Sequence, residues 1–320
     1  MSNIASVNSA ATRIQNNSPV AGRSGVDADA IGKSAAKNVG FQRNGRAFGA
    51  LNPTAMQRAM APLSPYERQQ AVQLARTLAP TRRASPHFNS AIPSHATGPY
   101  SGTQYTFTCC PSDYPTHGTN FTLGNMLDSA FRSGTKTVVS LTNPGDSRHS
   151  NYYKQSHTTP DGKYTIKSFG SPHFTTGVND QGKLVTGSVF GNAVRNNQTG
   201  QTQNMKMVHV NGWADQTAIE SKTELKILSD VCGNLDSADL NKVLIHCSEG
   251  RNRTGSVASH LEMMNASARG MKPNASGVLN WMRQSRVADS VGVPGQLIAL
   301  AESSIRLGRS AQPAGNGFRR

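Results

Sequence analysis

Cys247 and Arg253, in the run His246-Cys247-Ser248-Glu249-Gly250-Arg251-Asn252-Arg253-Thr254-Gly255, are the side chains whose types and spacing point most directly to chemistry. A thiol attacks only as thiolate, and a helix N-terminus with an arginine beside it is the setting that favours that form. The arginine also presents a planar fork matched to two phosphate oxygens, which a lysine cannot offer. Between them, Ser248, Glu249, Gly250, Arg251 and Asn252 can curl so that successive backbone N–H groups face inward as an anion nest, at the positive end of the following helix. Gly250 permits the tight turn, His246 supports the cysteine, and the Thr254 hydroxyl can donate to the sulfur when it leaves in a second step. The chemistry is attack on phosphorus. A buried cysteine after an apolar strand is the plainer alternative, but it leaves the Gly, Arg and Thr-Gly unexplained. His246 and Cys247 are adjacent and lack the spaced partners of a closed zinc site, so neither a metal nor a cofactor is expected.

Displacing phosphate from an alcohol requires a proton for the ester oxygen. Asp215 is the candidate donor, in Val208-His209-Val210-Asn211-Gly212-Trp213-Ala214-Asp215-Gln216-Thr217, after a β-like run and before a helix. A glycine and a tryptophan anchor ahead of the acid suit a flap that closes over substrate and excludes water. Read alone, the same tripeptide is a turn with an N-cap aspartate.

The elements that position these residues follow from periodicity and punctuation. Val243-Leu244-Ile245 is a strand, and a helix over Ala218 to Cys232 precedes it. After the loop, Thr254 to Ala268 is helical and closes at Gly270; Asn274 caps a helix ending near Ala288, and Leu297 to Leu307 makes another. Upstream, Ser64-Pro65-Tyr66-Glu67 is a capping box opening a helix that stops before Pro80. A strand at Gln104 to Thr108, a helix near Phe121 to Phe131 and a strand at Thr137 to Leu141 follow, and residues 150 to 210 alternate short β-rich runs with turns such as Asp161-Gly162. The expectation is a single α/β domain around a twisted mixed sheet flanked by helices, over residues 61–310. Residues 1–60, rich in Ser, Asn, Ala and Gly, are expected to be a disordered basic leader, and 311–320 a flexible tail.

A net charge of +15 over 320 residues implies acidic partners: phosphorylated protein, inositol phosphates, nucleic acid or an anionic surface. No helix-turn-helix, finger or aromatic-basic platform supports specific nucleic-acid binding. The 4 cysteines make no disulfide framework, and a reducing compartment suits a catalytic thiolate. No apolar stretch is long enough for a transmembrane segment or a Sec signal.

The decamer resembles the His-Cys-x5-Arg-Thr signature of the cysteine-dependent protein tyrosine phosphatases. The Trp213 segment is similar to their Trp-Pro-Asp loop, especially in the YopH-type phosphatases that bacterial pathogens inject. Ser64-Pro65-Tyr66, Gln104 to Pro111, Val138 to Thr142 and Met282-Arg283-x-x-Arg286 resemble the same domain, so the likeness runs from about Leu63 to Leu307. It implies that Asp146 orients Arg253, that Gln296 places the water of the second step, and that Gln216 shares this work. Trp213, Gln216 and the loop residues 248–252 would contact substrate. It further implies delivery by a type III system into the host cytoplasm, with the leader as export signal and chaperone-binding stretch, and a phosphorylated host protein as partner. Departures are visible: Ala214 replaces the flap proline, Asn252 a loop glycine, and Gly292 the first water-positioning glutamine. The segment from Ala84 to Thr103 is short and lacks an asparagine-arginine-aromatic loop, leaving Phe88, Tyr100 or Tyr105 to supply an aromatic wall. The cysteine loop also resembles that of cysteine-type phytases, so an inositol polyphosphate or phosphoinositide phosphatase is the alternative activity. A non-catalytic phosphate-binding adaptor is the second.

Overall fold

The computed structural model describes residues 51–81, 88–112, 121–146, 150–170, 173–179, 181–236 and 238–311. The expected leader up to residue 50 and the tail beyond 311 lie outside the described residues. In chain order the elements are α1 Pro53–Met60, α2 Pro65–Thr77, β1 Ser94–Thr97, β2 Gln104–Cys109, α3 Leu123–Ser133, β3 Thr137–Ser140, β4 His157–Thr158, β5 Tyr164–Phe169, β6 His173–Val178, β7 Leu184–Asn196, β8 Thr202–Asn211, α4 Ser221–Gly233, β9 Lys242–Cys247, α5 Asn252–Ala268, α6 Ala275–Ser285 and α7 Pro294–Ala311.

The strands form one mixed sheet in the order β1-β2-β9-β3-β8-β7-β5-β4, with β6 paired to β7. β2, β9, β3 and β8 are mutually parallel, and the expected β-rich stretch is an antiparallel arm built on the long β7. β9 lies inside the parallel part, buried on both faces, which explains its unbroken apolar run. Val243 and Ile245 enter the core that includes the interior residues of α4, α5, α6 and α7, while Leu244 enters a second core with Leu123, Met126 and Leu127 of α3. Each such side chain contributes about 1.5–3 kcal/mol of burial, so the strand that carries the cysteine is held firmly on both sides. Its C-terminal end is where open α/β sheets place their ligand sites.

Several boundaries differ from expectation, among them the starts of α4 at Ser221 and of α5 at Asn252. The leader does not stay unstructured through residue 60: Asn52 Oδ1 accepts the Ala55 N–H at 2.8 Å, Pro53 opens α1, and Ala59 is buried. Arg306 of α7 donates Nη1 to the carbonyls of Ala59 at 3.0 Å and Ala61 at 2.8 Å, so tertiary contact orders a segment of weak periodicity. α6 stops at Ser285, short of Ala288, because Arg286 turns toward carbonyls outside the helix. α7 begins earlier, at Pro294, where proline costs no hydrogen bond. The capping box is present, with Glu67 accepting the Ser64 N–H at 2.8 Å. Among the described residues, no helix is long and apolar enough to cross a membrane. None of the 4 cysteines is in a disulfide, and all are buried.

Candidate active site

β9 delivers Cys247 to the point where the chain turns through Ser248–Arg251 into α5. The Cys110 N–H donates to the Cys247 carbonyl at 2.7 Å, fixing the strand end. Gly250 makes the turn with φ of 68°, and a methyl carbon there would lie 2.2 Å from the Thr108 carbonyl oxygen, so only glycine fits. This turn aims the Gly250 N–H at Cys247 Sγ, 3.2 Å away. No side chain caps the N-terminus of α5, which leaves its first-turn N–H groups and dipole available to an anion. Beneath the loop, His246 is fully buried and its Nε2 meets the Tyr152 hydroxyl at 2.7 Å.

Arg253, fully buried in the first turn of α5, divides its guanidinium between two tasks. Nη1 donates to Asp146 Oδ2 at 2.7 Å and to the Trp213 carbonyl at 2.9 Å. Nη2 donates to Ser248 Oγ at 2.8 Å and to Asp215 Oδ1 at 3.1 Å, while Nε has no partner among the described residues. One corner is thus fixed from behind by Asp146; on the other edge Nε can meet an oxygen directly, and Nη2 can do so by exchanging Ser248 or Asp215 for it. Burial alone would lower the arginine's pKa, but Cys247, Asp146 and Asp215 outweigh it and hold the group above its usual value.

The flap is anchored at both ends. Trp213 is buried in the core and donates Nε1 to the Thr217 carbonyl at 3.1 Å, a carbonyl that Gln296 Nε2 also reaches at 2.7 Å. Gly212, at φ of 88°, passes so close to the sheet that a methyl carbon would sit 2.0 Å from the Leu184 carbonyl oxygen. Gln216 adopts φ of 57°, and beside it the Asp215 side chain remains 41% exposed while touching Arg253. A nucleophile at a helix N-terminus, a clamped arginine and an aqueous carboxylate meet in one place. A family model, protein-tyrosine phosphatase, matches residues 122–303. The chain belongs to that family. No curated protein matches the chain. It is a cysteine-dependent protein tyrosine phosphatase, a phosphoric monoester hydrolase.

The remaining residues of the phosphatase fall into place around this centre. Thr254, one residue beyond Arg253, is fully buried and its hydroxyl has no partner among the described residues. Gln296 is also fully buried; its amide oxygen is unpartnered and its nitrogen holds the flap. Trp213, expected to contact substrate, instead buries its ring in the core and holds Arg253 through its carbonyl. Asn252 accepts the Gly292 N–H at 2.9 Å, so two departures from the family pattern bond to each other, and Asn252 ties the loop to the segment before α7 instead of lining the nest. On the rim, Arg251 bridges Asp289 at 2.5 Å and Glu249 at 3.3 Å. Tyr105 is buried against Glu262, whereas Phe88 lies under the Arg286 guanidinium at 4.9 Å, and Arg286 donates Nε to the Gly250 carbonyl at 3.1 Å. Burial lowers Arg286 to about 10, with Cys109 and Cys247 opposing.

Sequence reasoning missed Asn143 and Asn179. Asn143 Oδ1 accepts the Gly212 N–H at 2.7 Å, its Nδ2 donates to the Trp213 carbonyl, and its own N–H donates to Asp146 Oδ2 at 2.9 Å. Asn179 Nδ2 donates to the Gly212 carbonyl at 2.7 Å. The partners of their side-chain amides are main-chain atoms, which leave no mark on a sequence.

Proposed function

We propose that the phosphatase is a YopH-type bacterial effector that hydrolyses phosphotyrosine in host proteins, exported by a type III system into the host cytoplasm with its N-terminal leader as signal and chaperone-binding stretch. The observation that carries the catalytic part is the meeting of Cys247 Sγ, the open edge of Arg253 and Asp215 above the α5 N-terminus. Cys247 attacks phosphorus as thiolate, forming the S–P bond as the P–O ester bond breaks. Asp215 protonates the departing tyrosyl oxygen. Loop N–H groups and Arg253 Nε and Nη2 hold the equatorial oxygens, and this fixed electrostatic frame supplies most of the rate gain. Water then cleaves the cysteinyl-phosphate with Asp215 as base, Thr254 donates to the leaving sulfur, and Gln296 and Gln216 guide the water. Phe88, held beside the loop by Arg286, serves as the aromatic wall for a tyrosyl ring.

The test compares a phosphotyrosine peptide, a phosphothreonine peptide, inositol hexakisphosphate and phosphoinositides with wild type and Cys247→Ser. Turnover of the phosphotyrosine peptide, lost in Cys247→Ser, is expected. Preference for the inositol compounds overturns the substrate assignment. No Cys247-dependent turnover of any of them leaves a phosphate-binding adaptor. Phe88→Ala is expected to raise KM for the phosphotyrosine peptide and leave alkyl phosphates unchanged.

A further inference from the structure

The flap stem is held by one turn of the chain, and the same turn holds the back of the arginine. Asn143 is buried in the turn after β3 and uses both polar atoms of its amide on the flap: Oδ1 on the Gly212 N–H and Nδ2 on the Trp213 carbonyl. Its backbone N–H and Arg253 Nη1 share a single carboxylate oxygen, Asp146 Oδ2, at 2.9 Å and 2.7 Å. Nη1 also shares the Trp213 carbonyl with Asn143. Asn143, Asp146, Arg253 and the Trp213 peptide therefore close a ring of hydrogen bonds, and Asp215 stands only two residues beyond that peptide.

We propose that Asn143 is a positioning residue for the proton donor: it sets where Asp215 stands relative to the Cys247–Arg253 centre by registering the flap stem to the turn that orients the arginine. The alanine at 214 makes such a device valuable. A proline there would fix the backbone torsion just before the acid, and alanine leaves it free. The stem must then be fixed by external contacts, and a paired amide on a peptide unit fixes both its translation and its tilt. Asn179 grips the Gly212 carbonyl from the β6–β7 side, whereas Asn143 also bonds Asp146, so of the two asparagines Asn143 ties the flap stem to the turn behind Arg253.

This inference rests on Asp215 being the acid, and the experiment separates the two. kcat/KM is measured for phenyl phosphate, whose leaving group needs a proton, and for 2,4-dinitrophenyl phosphate, whose leaving group does not. Asp215→Ala is expected to lose ~100-fold or more on the first and far less on the second. Asn143→Ala is expected to show the same selectivity, with a loss of about tenfold on phenyl phosphate, unchanged vanadate affinity, and no further loss when combined with Asp215→Ala. Equal losses by Asn143→Ala on both substrates, or additivity in the double variant, overturn the inference while leaving the acid assignment intact. Equal losses by Asp215→Ala overturn that assignment itself. If Asn143→Ala does not fold, Asn143→Ser is judged by the same ratio, and failure of both to fold marks Asn143 as a structural prop and overturns the inference.

Discussion

Arg253 keeps a formal charge fully buried because both its Nη groups are matched, and its partners are unequal in kind. Asp146 sits behind it and is itself nearly buried, so its removal strands a cation in the core. Asp146→Ala is expected to destabilise the fold by about 3 kcal/mol and to weaken vanadate binding, read by urea denaturation and inhibitor titration. Asp215→Ala carries a smaller such cost, because that carboxylate is 41% exposed and Asp146 still holds the arginine; kcat on the phosphotyrosine peptide is expected to fall by about two orders of magnitude or more with little change in binding. A third substitution tests the turn: Gly250→Ala forces a side chain into the left-handed region and against the Thr108 carbonyl, and is expected to abolish turnover and lower Tm. At this scale the sequence was legible where function is contiguous. The run from His246 to Thr254 folds into its own site, so its residues could be named together. Asp146, remote in the chain, was reachable through family likeness alone. Asn143 was not reachable, because an asparagine in a turn is commonplace and the backbone atoms it holds are invisible in sequence.

The helices that brace the sheet were read well in their interiors and less well at their ends. β9 and α5 were evident from unbroken apolar character and from the Thr-Gly start, since both are buried by neighbours all round. α1 was missed although Asn52-Pro53 is a proper N-cap and first-turn signal, because its stability comes from Arg306 of α7 and not from its own pattern. α2 is tied to α7 in a similar way, through the Arg309–Glu67 ion pair. Hydrogen bonds from Arg309 and then from Ser64 hold the Glu67 carboxyl at about 2, below its usual 4.5. A depressed carboxyl stabilises the fold above the unfolded value and loses that contribution as pH falls through the folded one. The Tm difference between wild type and Glu67→Gln is therefore expected to be constant above roughly pH 4.5 and to vanish as pH approaches about 2. A difference independent of pH would show that packing, not charge, holds α2.

Across the whole molecule, the net charge of +15 acts on approach more than on chemistry. With an acidic phosphotyrosine peptide, kcat/KM is expected to fall as salt rises while kcat stays level, and a neutral peptide should show a flatter response; identical salt curves would remove electrostatic steering. The thiols carry a different consequence. Burial pushes Cys110 and Cys232 up to about 12 and encloses Cys109 completely, whereas Cys247 sits at the uncapped N-terminus of α5, close enough to the Arg253 guanidinium to help hold its charge. A negatively charged alkylator such as iodoacetate should accordingly be drawn to a single sulfur and label the native chain once, on the peptide containing residue 247. The stoichiometry of that mark would count properly assembled molecules in any preparation, without a substrate being known.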